Sequence, residues 1–213
     1  GTIANDLVYL AGENVIVLLI MGALTSFILG IGMTVTAAYI FLAIVLVPAL
    51  TNSGIDPLAS HMFVMYWGML SFITPPVALA AFAAASVANV APMRAGFEAM
   101  RLGAIIYFVP FFFVFNPALL LQGSIIENVQ AFTTAILGVG IVSGALQGYL
   151  IGVGNLGSGT KGFVVKTLIG LSGLILALPA GGLFGFSQIS LLLAAGVFLA
   201  IGVVIRIVLV KAY

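Results

Sequence analysis

The chain has 213 residues, of which 63% are hydrophobic and only 5% charged, and its formal net charge is +1. A soluble domain carries roughly 25% charged residues, so this composition cannot build a water-facing surface and the solvent must be a bilayer. Bulk charge points to no nucleic acid or acidic partner. The absence of cysteine excludes a disulfide framework or thiolate metal site, and His61 alone cannot form a histidine cluster.

The apolar runs lack the in-and-out alternation of a membrane barrel, so helices must satisfy the backbone in hydrocarbon. Residues 1–12 have neither the basic start nor the cleavage site of a signal peptide, and the chain begins with Gly rather than Met. A fragment or C-terminal portion of a longer protein is expected.

Apolar segments run over residues 14–29, 36–51, 58–89, 103–122, 128–151, 167–184 and 189–210. Crossing the hydrocarbon takes about 20 helical residues. The first two segments offer about 16 each around a glycine-rich tip, which predicts a re-entrant hairpin. The third is too long for one simple span and is interrupted by Thr74-Pro75-Pro76. Two prolines remove two N–H donors and disfavour helix just before them, so this segment predicts one crossing made of two half-helices. The last four segments predict regular membrane helices joined by short loops, among them the glycine-rich stretch 152–162.

Threading the chain this way puts Arg94, Arg101, Lys161, Lys166, Arg206 and Lys211 on one side, which the positive-inside rule makes cytoplasmic. Asp6, Glu13, Asp56 and Glu127 then fall outside. Counting the Thr-Pro-Pro segment as two crossings would export Arg94 and Arg101, so one crossing is preferred. Residues 92–103 form an amphipathic stretch with Glu98 spaced to meet Arg94 or Arg101. It is expected to lie along the cytoplasmic interface.

Two places fail to behave as membrane helix. In the hairpin tip, Gly30 and Gly32 permit positive φ and close backbone approach, while Thr34 and Thr36 add hydroxyl oxygens beside freed carbonyls. At the second, Ser71, Thr74, Pro75 and Pro76 combine side-chain oxygens with carbonyls that the prolines leave unpaired. Such oxygens suit a hard monovalent cation, and paired interruptions at membrane depth are the pattern of a transporter site. Each feature also has a plainer use, glycine for close packing and proline for a kink. The pair carries the argument.

The remaining candidates point to structure. His61 is expected at the outer interface, Tyr66 and Trp67 in packing or an aromatic belt, and the Phe111-Phe112-Phe113 run against lipid. Asn116 is placed to bond backbone freed by Pro117. A membrane hydrolase would need serine with histidine or lysine at depth, and none is visible, so no enzyme is expected. The absence of a charge ring argues against a channel. A non-transporting membrane scaffold or assembly protein is the alternative to a transporter.

At these motifs the sequence resembles the large membrane subunit of tripartite ATP-independent periplasmic (TRAP) transporters, and within it the C-terminal part of the fused TAXI-type permeases. The stretches LGIGMTVTAAYIFLAIVLVPAL, GIDPLASHMFVMYWGMLSFITPPVALAAFAAASVA, APMRAGFEAMRLG and VFNPALLLQG carry the likeness in order over residues 29–123. The resemblance implies an all-α elevator-type secondary transporter of the bacterial inner membrane, with this chain holding the second of two inverted repeats. A transport-type region over residues 1–102 and scaffold-like helices over 103–213 are expected.

It further implies uptake of an organic acid delivered by a periplasmic substrate-binding protein and driven by a sodium or proton gradient, with no cofactor. The first repeat and small membrane subunit are expected from the rest of the permease. The family's hairpin glycines fall on Gly30 and Gly32, its hairpin threonine on Thr36, and its Thr-Pro-Pro on Thr74, Pro75 and Pro76. A sodium ion is expected at Gly32, Thr36 and Thr74. The family's usual Pro-Thr-Thr before Ala-Ala-Tyr is here Thr34-Val35-Thr36, which lacks a proline but supplies a hydroxyl one position earlier.

Overall fold

The computed structural model describes residues 2–12, 14–178 and 185–209. Its helices and a two-stranded ladder divide into two compact units, Gly1–Leu120 and Leu121–Tyr213. Glu13 and Lys211, both given a side by the charge argument, lie outside the described residues, as do 179–184 of the sixth apolar segment and the last residue of the seventh.

In the first unit, helix α1 (Thr2–Leu10) leads to α2 (Val15–Gly32), α3 (Val35–Val45) and α4 (Val47–Asn52). The side chain of Asn14 starts α2 by accepting from the Ile16 and Val17 amides at 3.0 and 3.2 Å, which satisfies two of the donors a helix start leaves open. Helix α2 and the α3–α4 arm form an antiparallel hairpin in which a Cβ on Gly22 would lie 3.1 Å from the Leu46 side chain. Each arm has 18 residues rather than about 16, because α2 continues through both tip glycines. At 1.5 Å per residue that is about 27 Å, close to a hydrocarbon thickness. By length and apolarity Val35–Asn52 is a candidate span.

The third apolar segment is broken as expected, into α5 (Pro57–Met69) and α6 (Leu79–Ala88). Asp56 caps α5 by accepting from the Ala59 amide at 3.0 Å. Helix α5 is central: its fully buried Phe63 and Val64 join Leu18, Leu19, Leu42, Leu46 and Leu50 of the hairpin in one core. The amphipathic stretch is helix α7 (Pro92–Leu102), where Glu98 pairs with Arg101 at 2.8 Å.

The segment 103–122 differs from the regular helix expected there. It consists of a 3₁₀ turn at Ala104–Tyr107, helix α8 (Val109–Phe115) and a second 3₁₀ turn at Pro117–Leu120, and the chain bends by 67° between α7 and this segment. Pro110 and Pro117 explain the breaks, since each lacks an N–H and crowds helical backbone before it. The Phe run is likewise not simply lipid-facing. Phe111 meets Phe63 edge-on with ring centres 5.3 Å apart, Phe112 is buried, and Phe113 meets Tyr66 at 5.1 Å. Packing of α8 on α5 joins this segment to the first compact unit, Gly1–Leu120.

The second unit packs α9 (Ile125–Gln147), α10 (Gly159–Ala177) and α11 (Gln188–Leu209) in alternating direction. A capping box starts α9: the Ser124 hydroxyl accepts from the Glu127 amide at 3.3 Å, while the Glu127 carboxylate accepts from the Ser124 amide at 2.8 Å. Left-handed Gly148 ends it at φ 78°. The glycine-rich stretch is more ordered than the expected loop. Strands β1 (Tyr149–Leu150) and β2 (Gly154–Asn155) pair antiparallel, and α10 begins at Gly159, so Lys161 and Lys166 ride on helix. Where α9 crosses α10, a Cβ on Gly138 would lie 2.6 Å from the Gly173 carbonyl oxygen, and one on Gly173 2.7 Å from that of Gly138. Only glycine lets the backbones approach so closely. Helices α9, α10 and α11 each qualify as spans, and the chain is a multi-pass membrane protein.

Candidate functional site

The hairpin tip breaks later and more narrowly than the glycines suggested. Gly30 and Gly32 lie inside α2, and the non-helical backbone is confined to Met33 (φ −149°, ψ 173°) and Thr34 (φ −66°, ψ 152°). Gly30 serves close approach instead of positive φ: a Cβ there would lie 2.5 Å from the Gly68 carbonyl oxygen of α5. The Thr34 hydroxyl accepts from the Ala37 amide at 3.3 Å and caps α3. Thr36 is exposed in the first turn of α3. The tip thus brings the carbonyl end of α2 and the amide end of α3 together, partial charges of opposite sign within a few residues.

At the second break, α5 tightens into a 3₁₀ turn at Leu70–Phe72 and the chain leaves helical geometry until Ala78, which is left-handed at φ 37°. The Pro75–Pro76 peptide is cis. The two hydroxyls here donate to carbonyls of the last turn before the break. Ser71 donates to the Gly68 carbonyl at 3.0 Å, and Thr74 donates to that of Leu70 at 2.6 Å. Thr74 and Ser71 are both buried.

The sequence reading missed a third participant. Tyr107, from the 3₁₀ turn after α7, places its hydroxyl 2.5 Å from Thr74 Oγ1. Because the Thr74 proton goes to Leu70, Tyr107 is the donor and Thr74 the acceptor. Trp67, expected in packing, sits between the rings of Tyr107 and Phe111, 6.0 Å from each. Among the described residues, neither its buried indole nitrogen nor the buried hydroxyl of Ser26 on α2 has a hydrogen-bond partner. Helix α7 closes over the break: a Cβ on Gly96 would lie 2.8 Å from Pro75 Cγ, and one on Gly103 3.0 Å from the Ile73 side chain. The two-proline signal located the break, but no local motif marks a tyrosine arriving 33 residues later in the chain.

The seven predicted residues therefore divide. Gly30 is brought against α5 just before the break, and Thr74 is buried within it, whereas Thr34 and Thr36 are exposed on the tip and Pro76 is exposed beyond Thr74. His61 is half-buried with its Nδ1 3.0 Å from the Tyr39 hydroxyl, joining α5 to the second hairpin arm. Asn116 Oδ1 accepts from the Ala118 amide at 3.3 Å, the local role expected of it. Among the described residues no group of three or more His, Cys, Asp or Glu side chains could hold a metal ion, so the donors present at both breaks are hydroxyl and carbonyl oxygens.

A family model described as "Tripartite ATP-independent periplasmic transporter, DctM component" matches residues 1–128, the whole first unit and the first turn of α9. No curated protein and no solved structure matches the chain.

Proposed function

The chain belongs to the DctM family of tripartite ATP-independent periplasmic transporter components, and from that premise we propose that it carries the second repeat of a TAXI-type permease importing an organic acid. A permease component is a transporter part, not an enzyme. A periplasmic binding protein delivers the acid, and a sodium or proton gradient across the bacterial inner membrane drives entry. The first repeat and the small membrane subunit complete the translocating unit.

One observation carries this reading: two interrupted helices meet, because α2 runs to its break against the Gly68 carbonyl of the helix that breaks at Thr74. A rigid membrane scaffold has no use for two helix interruptions placed side by side. A transporter uses them to receive ions and anionic groups. Gly30 on this reading supports the site through packing. Thr36, Thr74 and the last carbonyls of α2, that of Gly32 included, supply oxygen for a cation, and sodium is the hard ion that such neutral oxygens suit. Thr34, Pro75 and Pro76 shape the breaks. The residues 1–102 then move as the transporting part, and the helices of 103–213 act as scaffold. The cytoplasmic side carries Arg94, Arg101, Lys161, Lys166, Arg206 and Lys211.

Reconstitution of the complete permease with its binding protein tests the proposal. Uptake of a labelled organic acid should rise when an inward sodium or proton gradient is imposed and should stop when both are collapsed. Equal uptake without either gradient would refute secondary active transport.

A further inference from the structure

Among the described residues of the second unit, Lys161, Lys166 and Arg206 form no ion pair. After Glu127, at the start of α9, the sequence contains no Asp or Glu, yet Lys161, Lys166, Arg206 and Lys211 all follow. Lys166 and Arg206 meet the same small ladder. A Cβ on Gly148 would lie 3.1 Å from Lys166 Nζ, and one on Gly154 would lie 3.3 Å from an Arg206 terminal nitrogen. Tyr149 pairs with Asn155 and Leu150 with Gly154, and the Leu156 amide extends the pairing by donating to the Gly148 carbonyl at 2.9 Å. Directly opposite residues of such a ladder share a face, so Leu150 and Gly154 lie on one face and Tyr149 and Asn155 on the other, while left-handed Gly148 stands at the open end opposite Leu156.

The first face turns inward, since Leu156 is fully buried and Leu150 contacts the Gly144 position of α9. Lys166 and Arg206 thus each lie against a glycine of the hairpin that has no Cβ to displace the charge. Gly148 and Gly154 are diagonal neighbours, a relationship that spans about 7–8 Å. One tetrahedral anion can reach both cationic heads across that distance. Arg206 spends its Nε–H on the Asn155 carbonyl at 3.1 Å, which fixes the guanidinium and leaves its terminal donors free to form a fork.

The surroundings select the anion. The cations lie near the ends of three candidate spans, and the neighbouring side chains Ile151, Phe163 and Ile207 are exposed and apolar. A soluble anion gains nothing from that surface, whereas a phospholipid lays acyl chains on it. We propose that Lys166 and Arg206 clamp the phosphate of an anionic phospholipid beneath the Tyr149–Asn155 hairpin. The plainer role for these cations, offsetting the carbonyl ends of α9 and α11, requires no lipid.

Native mass spectrometry of the full chain in neutral detergent, offered equal amounts of phosphatidylglycerol and phosphatidylcholine, separates these readings. The wild type should retain phosphatidylglycerol in about tenfold preference, a ratio equivalent to about one cationic contact or more at a lipid surface. The Lys166→Gln, Arg206→Gln pair should bring the ratio to about one, while Lys161→Gln, an exposed cation at the same end, should leave it nearly unchanged. A wild-type ratio near one, a preference that survives the double change, or an equal loss with Lys161→Gln would overturn the clamp. Glycerol 1-phosphate that displaces the lipid at equal concentration would overturn the lipid as its occupant. If the double variant does not fold, the single change Lys166→Gln must lower the preference, and an unchanged ratio would count against the proposal.

Discussion

The Tyr107 hydroxyl lies 2.5 Å from the Thr74 hydroxyl, so a residue from the turn after α7 completes the hydrogen bonding of the broken helix. Thr74 in turn covers the Leu70 carbonyl. Thr74→Val removes both bonds and leaves the Leu70 carbonyl with only the Ile73 amide, 3.2 Å away, at an expected cost of about 1–3 kcal/mol for the two bonds. Tyr107→Phe removes one bond and keeps the Leu70 contact, so its cost should be about 1 kcal/mol or less. Unfolding in detergent measures the order of the two, and a larger loss from Tyr107→Phe would show that the phenol acts elsewhere.

Gly30 is held by sterics. Gly30→Ala places a methyl 2.5 Å from backbone oxygen of α5, an overpacking expected to cost about 1–3 kcal/mol. The same reasoning applies to Gly138→Ala and Gly173→Ala in the second unit. Gly140→Ala, which meets nothing within 4 Å, should be neutral or stabilising by up to about 1 kcal/mol through helix propensity. Thermal unfolding of the four variants should separate Gly140 from the other three.

At the tip, Thr34 and Thr36 are predicted to part company. Thr34 caps α3, so Thr34→Ala should lower stability by about 0.5–2 kcal/mol while Thr34→Ser restores it. Thr36 makes no such cap in the first turn, and Thr36→Val should change uptake more than unfolding. Parallel transport and stability assays check this, and equal effects at both positions would remove the distinction.

The chain has no cysteine, so single introduced thiols report topology cleanly. Ile125 and Ile151 are both well exposed and flank the two ends of α9. Cysteines placed at these positions should react with an impermeant maleimide from opposite faces of the membrane. Labelling from the same face would mean that α9 does not cross.

Much of the architecture was legible because apolar length and proline chemistry act locally. Thr74-Pro75-Pro76 announces a break whatever surrounds it. Glycine was less readable. Gly30 and Gly32 permit an irregular tip, yet α2 continues through both, because the reason for Gly30 is a backbone 38 positions away at Gly68. The α8 segment was misread for a related cause: average apolarity hid Pro110 and Pro117, and tertiary packing on Phe63 claimed aromatic residues that looked suited to lipid. Tyr107 was invisible, since only the folded chain brings it to Thr74.

The most direct test of the two breaks as a transport site is gradient-driven uptake by the complete reconstituted permease carrying both Thr36→Val and Thr74→Val. Protein that still inserts and unfolds cooperatively should lose uptake by at least about tenfold, the scale of one lost hydrogen-bonded ligand. Uptake at the wild-type rate, with the same dependence on the sodium or proton gradient, would contradict the assignment.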